Sequence, residues 1–137
     1  MAIVTPILTP VNPPGPTSTT IPDTLAPRGY HTYDGKLSGP MTAHPKLDPV
    51  SGEMVFFGYS ARGPMTPDLM MHVADRDGRL IRSVHLLAPF PSMVHDFVVT
   101  RTHVIFPIFP LTGSSVQGCW LQQSALVLQS APSAEQL

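Results

Sequence analysis

LMMHVADRDGRLIRSVHL, residues 69–86, decides the fold class. Two apolar runs, Leu69 to Ala74 and Arg79 to Leu86, flank Asp75-Arg76-Asp77-Gly78. Asp-Gly supplies the positive backbone angles that a tight hairpin requires, so the stretch is predicted as strand, turn, strand. Upstream, Glu53 to Tyr59 (EMVFFGY) is an apolar and aromatic run entered through Asp48-Pro49-Val50-Ser51-Gly52, a turn of residues that fix or free the backbone. Downstream, Val94 to Val99 and His103 to Phe109 are β-branched and aromatic runs separated only by Thr100, Arg101 and Thr102, which predicts another hairpin. No window carries a sustained apolar stripe at helical spacing, and the prolines would interrupt one. The centre is therefore predicted as all-β, a meander of consecutive antiparallel strands of the kind that builds a propeller blade.

The two ends read differently. Residues 1 to 22 contain no charged side chain and include Pro6, Pro10, Pro13, Pro14, Pro16 and Pro22, a composition that favours disorder. From Leu111 onward the chain turns to Ser, Gln and Ala with Glu135 as its one charge, and a weak helix is expected around Trp120 to Leu128. Three zones result: a Pro-rich leader (1–27), an information-bearing centre (28–113) and a low-charge tail (114–137).

With 137 residues, 42% of them hydrophobic, the chain is long enough for one domain or part of one. A formal net charge of -1 gives no electrostatic case for nucleic acid or an anionic membrane surface. A lone cysteine, Cys119, forms no internal disulfide, so a reducing cytoplasm is the default expectation. The opening MAIVTPILTP lacks a basic leader and is broken by prolines, so neither an export signal nor a membrane span is predicted from it.

An internal echo runs through the centre. His44 precedes a strand, a turn and an apolar strand (VFF), and His95 precedes the same order ending in Val104-Ile105-Phe106. If each histidine opens the inner strand of its own blade, two imidazoles 51 positions apart approach a common axis. Judged alone, each is one of six scattered histidines, for which structural or surface roles are the usual case. His31, His72, His85 and His103 lack any matching context, and Asp96 beside His95 reads either as an orienting carboxylate or as an acceptor of backbone hydrogen bonds. Ser60 and Ser92 have no paired base for a hydrolytic triad. Met65, Met70 and Met71 read as packing, and Phe56, Phe57, Phe106 and Phe109 as core rather than as the lining of a substrate tunnel.

DGKLSGPMTAHPKLDPVSGEMVFFGYS, Asp34 to Ser60, resembles the motif around the first iron-binding histidine of the carotenoid cleavage oxygenases, a family that includes lignostilbene dioxygenases. PSMVHDFVVTRTHVIFPIFPL, Pro91 to Leu111, resembles the same family's second histidine motif, and the spacer LMMHVADRDGRLIRSVHL matches its strand-turn-strand pattern. The resemblance implies a seven-bladed β-propeller, of which this chain holds about two blades, with His44 and His95 as two of four histidines around one Fe(II). It also implies dioxygen and a hydrophobic conjugated alkene as reactants: a carotenoid, apocarotenoid or stilbene, split at a carbon-carbon double bond into two carbonyl products. Neutral imidazole suits Fe(II), and carboxylates behind the ligands orient their rings.

The departures are equally specific. Residues 1 to 22 contain no Glu or Asp where the family places a supporting glutamate, and no histidine follows Leu111, where the family places two more. A truncated or frame-shifted gene product is therefore expected. The alternatives to an active dioxygenase segment are an inactive remnant that self-associates through open sheet edges and, less favoured, a small β-sandwich binding module.

Overall fold

The computed structural model describes residues 18–20, 26–109, 111–114, 118–121 and 125–130. Every regular element among them is a strand, so the all-β expectation holds. Strands β1 (Ser18–Thr20) and β2 (Pro27–Tyr30) pair antiparallel. Strands β3 (Lys46–Leu47), β4 (Met54–Tyr59), β5 (Asp68–Ala74) and β6 (Leu80–Leu87) form an antiparallel meander in that order. A second sheet has the order β7 (Val98–Val99), β8 (His103–Ile108), β11 (Ala125–Ser130), with the hairpin β9 (Leu111–Ser114) and β10 (Gly118–Leu121) interposed in sequence.

The Asp75–Gly78 hairpin forms with one change from the expected turn. Only Gly78 takes a positive φ, +80°, and not Asp77. The Gly78 N–H donates to the Asp75 carbonyl at 2.9 Å, the pattern of a type I turn closed by a left-handed glycine. Asp75 Oδ1 accepts from the N–H groups of Asp77 and Arg79 at 3.0 and 2.8 Å, which locks the turn. The turn into β4 is held likewise by Asp48, whose carboxylate accepts from Val50 N–H at 2.8 Å and Ser51 Oγ at 3.0 Å. These bonds, the Val50 N–H first, keep its carboxyl below the ordinary range.

Two expectations for the ends are corrected. The helix expected over Trp120 to Leu128 does not form; Gly118–Leu121 pairs with Leu111–Ser114, and Ala125–Ser130 pairs with β8 from Ala125↔Ile108 to Ser130↔His103. A free edge on β8 claims the backbone donors that a helix would have kept to itself, so tertiary context overrides a weak local preference. Within the leader, Ser18–Thr20 is a strand on β2. The rest of the expected disorder, residues 1–17, 21 and 22, lies outside the described residues.

The main core lies between the two larger sheets. Val55, Phe57, Leu69, Met71 and Val73 alternate onto one face of the meander and meet Val104, Phe106 and Ile108 of β8, with Val94 and Phe97 from the segment between the sheets. Phe57 packs edge-on to both Phe97 and Phe106, each at 5.0 Å between ring centroids. The opposite face carries Phe56 and Ala74 under Tyr33 and Leu37. Phe56, Phe57 and Phe106 are thus core, as expected, while Phe109 is exposed.

His72, on that second face, is 4% exposed. It stacks on Phe56, and its Nδ1 meets Ser83 Oγ at 2.8 Å, while its Nε2 has no hydrogen-bond partner. Burial pushes its pKa down to about 4. The native state holds the ring neutral, whereas the unfolded chain takes up a proton below about pH 6.5. The stability contributed by the neutral ring is therefore complete above that pH and lost as pH falls toward 4. Urea unfolding is expected to show a loss of about 2 kcal/mol between pH 7 and pH 5 that is absent in His72→Phe. Equal pH dependence in the two proteins would contradict this.

Candidate functional site

His44 and His95 come together. Each sits just ahead of a short edge strand, His44 two residues before β3 and His95 three residues before β7. The strand-turn-strand order after each histidine repeats as expected, with Lys46↔Val55 in one hairpin and Val98↔Ile105 in the other. Neither histidine is itself the first residue of a strand, a small correction to the expected placement.

The path of the chain explains the convergence. Pro45 holds His44 in extended backbone. The segment ahead of it is tied to β4, where Thr42 N–H donates to the Phe57 carbonyl at 2.8 Å. Phe97, two residues after His95, is anchored in the core against Phe57 and Phe106. The two rings then stand 4.9 Å apart between centroids at 61°, and their Nε2 atoms face each other at 3.1 Å. Both residues are exposed. At that distance one neutral ring can donate its Nε2–H to the other, and with both protons on Nδ1 the two Nε2 lone pairs are aimed at one small volume.

Charged groups sit directly beside the pair. Lys46 Nζ, two residues past His44, bonds Asp96 Oδ1, next to His95, at 2.7 Å. Lys46 also lies 5.5 Å from the centroid of the Phe97 ring. Asp96 Oδ1 accepts from Phe97 N–H at 2.8 Å as well, so its reading as an acceptor of backbone hydrogen bonds holds. The Lys46 ammonium above all, then that N–H, keeps the Asp96 carboxyl below the ordinary range. Lys46 and Asp96 line a groove of about 680 Å³ shared with Leu47, Val50, Val98 and Arg101. Lys46 went unremarked in the sequence although it falls inside the quoted motif.

The other histidines have local partners. His31 packs edge-on to Tyr33, and His103 Nδ1 meets Thr102 Oγ1 at 2.9 Å. His85 Nε2 bonds Asp68 Oδ1 at 2.6 Å, the principal reason the Asp68 carboxyl titrates below its ordinary value. No cluster of three or more His, Cys, Asp or Glu side chains suited to a metal occurs among the described residues. No helix among them is long and apolar enough to cross a membrane.

An all-β chain that presents two imidazoles from neighbouring sheets has the features of one particular class, and comparison agrees. The chain belongs to the carotenoid cleavage oxygenase family: the family model described as retinal pigment epithelial membrane protein matches residues 15–135. That match reaches beyond residues 28–113 on both sides. Among curated relatives, carotenoid cleavage oxygenase 1 of Neurospora crassa is 48% identical over 91 residues, covering 66% of this chain and 17% of that protein. Isoeugenol monooxygenase of Pseudomonas nitroreducens is 42% identical over 94 residues, covering 68% and 20%. The chain thus spans about a fifth of the length of these relatives. Among solved structures, the lignostilbene dioxygenase of Pseudomonas brassicacearum superposes with a TM-score of 0.74 at 34% identity, covering 84% of this chain and 26% of that one. The cobalt-substituted apocarotenoid oxygenase of Synechocystis, at 22% identity and a TM-score of 0.71, shares the fold.

Proposed function

We propose that this chain is about two blades of the seven-bladed propeller of a non-haem Fe(II) dioxygenase, and that His44 and His95 are two of the iron's ligands. The observation that supports it is the 3.1 Å approach of the two Nε2 atoms. That separation is small enough for both ring nitrogens to reach one divalent ion, which His44 and His95 would hold between them. The donor set fits a divalent iron as a borderline nitrogen site. Bound there, the metal would supply dioxygen activation for splitting a carbon-carbon double bond of a carotenoid, apocarotenoid or stilbene into two carbonyl compounds. The chain's own part is to aim two ring nitrogens at one point, with Pro45 and the Thr42 bond orienting one ring and Phe97 anchoring the other. The family resemblance implies two further histidines, for which this sequence offers no counterpart.

The open edge of the first sheet favours a second reading for the chain in isolation. The eight-residue β6 is an unpaired sheet edge among the described residues, and Leu47, Val50, Leu87 and Met93 are exposed. Open edges and apolar surface seek partners, so the isolated chain is expected to self-associate and to cleave no alkene.

Fe(II) titrated under nitrogen into the wild-type chain and into the His44→Ala, His95→Ala double variant tests the site. Binding at least about tenfold weaker in the double variant is expected, because both nitrogen donors are gone. Unchanged binding contradicts the ligand assignment. Steady turnover of a stilbene or an apocarotenal by the wild-type chain alone would overturn the second reading.

A further inference from the structure

We propose that the Lys46–Asp96 ion pair is a positioning device that holds His44 and His95 in their convergent arrangement. The inference takes its functional meaning from the metal-site reading above, but its geometry is independent of any metal. No strand pairing joins β3 to β7 among the described residues, so the backbones that carry the two histidines are not held together by a ladder. The 2.7 Å bridge crosses that gap, from a residue two positions after one histidine to the immediate neighbour of the other.

Both members have a second contact with the His95 segment. Lys46 lies over the Phe97 ring, which is 2% exposed in the core, and Asp96 accepts the Phe97 N–H at 2.8 Å. The ammonium is therefore drawn to two features of the His95 segment while its backbone is paired to β4 at Val55. The side chains of Lys46 and Asp96 are 35% and 51% exposed, so the pair contributes little to global stability. What it controls is the offset between two hairpins, to which a ring-to-ring approach of 3.1 Å is acutely sensitive.

A merely stabilising bridge and a positioning bridge differ in what their loss changes. In the full 137-residue chain with isotope-labelled histidine, a nuclear Overhauser contact between the His44 and His95 rings is expected in the wild type. It is expected to vanish in Lys46→Met and in Asp96→Asn with little change in thermal midpoint, and to return in the charge-swapped Lys46→Asp, Asp96→Lys protein. Co(II) affinity should follow the same order, falling at least about tenfold in the single variants and recovering in the swap. A contact that persists in both single variants, that is absent from the wild type, or that the swap fails to restore overturns the proposal. If the ring contact depends on the bridge while the wild type binds no Co(II), the positioning role stands and the metal-site reading fails.

Discussion

Replacing Gly58 by alanine is expected to cost on the order of 3 kcal/mol, the upper end of what overpacking does. A Cβ on Gly58 would collide with the Pro40 carbonyl oxygen and stand 2.9 Å from its carbon, and these are backbone atoms that no rotamer change moves aside. Strand β4 is paired on both sides, by β3 and β5, so it has little freedom to retreat. The segment running from Pro40 to His44 must lift instead, and the bond from Thr42 N–H to the Phe57 carbonyl is then lost. A glycine inside a strand often marks the close passage of another backbone, and here that backbone delivers His44. Denaturant unfolding gives the stability change, and the His44–His95 ring contact reports the displaced histidine. A loss under about 1 kcal/mol with the ring contact intact would show that the crossing is looser than described.

Phe57→Ala is expected to remove about 4 kcal/mol, a large share of the total for a domain of this size. Phe57 is fully buried and is the hub between the two sheets, edge-on to Phe97 from the His95 segment and to Phe106 from β8. Removing its ring leaves Phe97 and Phe106, stacked at 5.6 Å, facing a cavity on the side where the first sheet approaches. Phe57→Leu keeps much of the volume but loses the ring contacts, so a cost of roughly 1.5 kcal/mol is expected. Thermal and urea unfolding of the three proteins check the order. If alanine costs no more than leucine, the two sheets are not joined through this ring.

Much of the site was legible because it depends on local chemistry. Asp75 and Gly78 announced their hairpin and Asp48 and Gly52 announced theirs, whereas the division of Val55 and Phe57 from Phe56 between two cores appears only in the folded chain. The meeting of His44 and His95 followed from the repeated order of strand, turn and strand after each histidine, reinforced by the family resemblance. What escaped notice depends on pairing across distance. Nothing in ALVLQS states that it will lie on His103–Ile108, and Ser18–Thr20 becomes a strand only because Pro27–Tyr30 accepts it. The Lys46–Asp96 bridge was hidden for the same reason: each residue reads as an ordinary solvated charge until the two hairpins are set side by side. Gly58 looked like one more residue of an apolar strand, although its missing side chain was itself a signal of a close crossing.

If one ion takes nitrogen from both rings, Fe(II) affinities of the wild type, His44→Ala, His95→Ala and the double variant measure that sharing directly. A shared ion predicts that each single variant loses nearly as much as the double, because one remaining imidazole holds iron weakly and the second replacement has little left to remove. Losses that simply add, or a single variant that binds as the wild type does, would mean that the two rings do not serve the same metal.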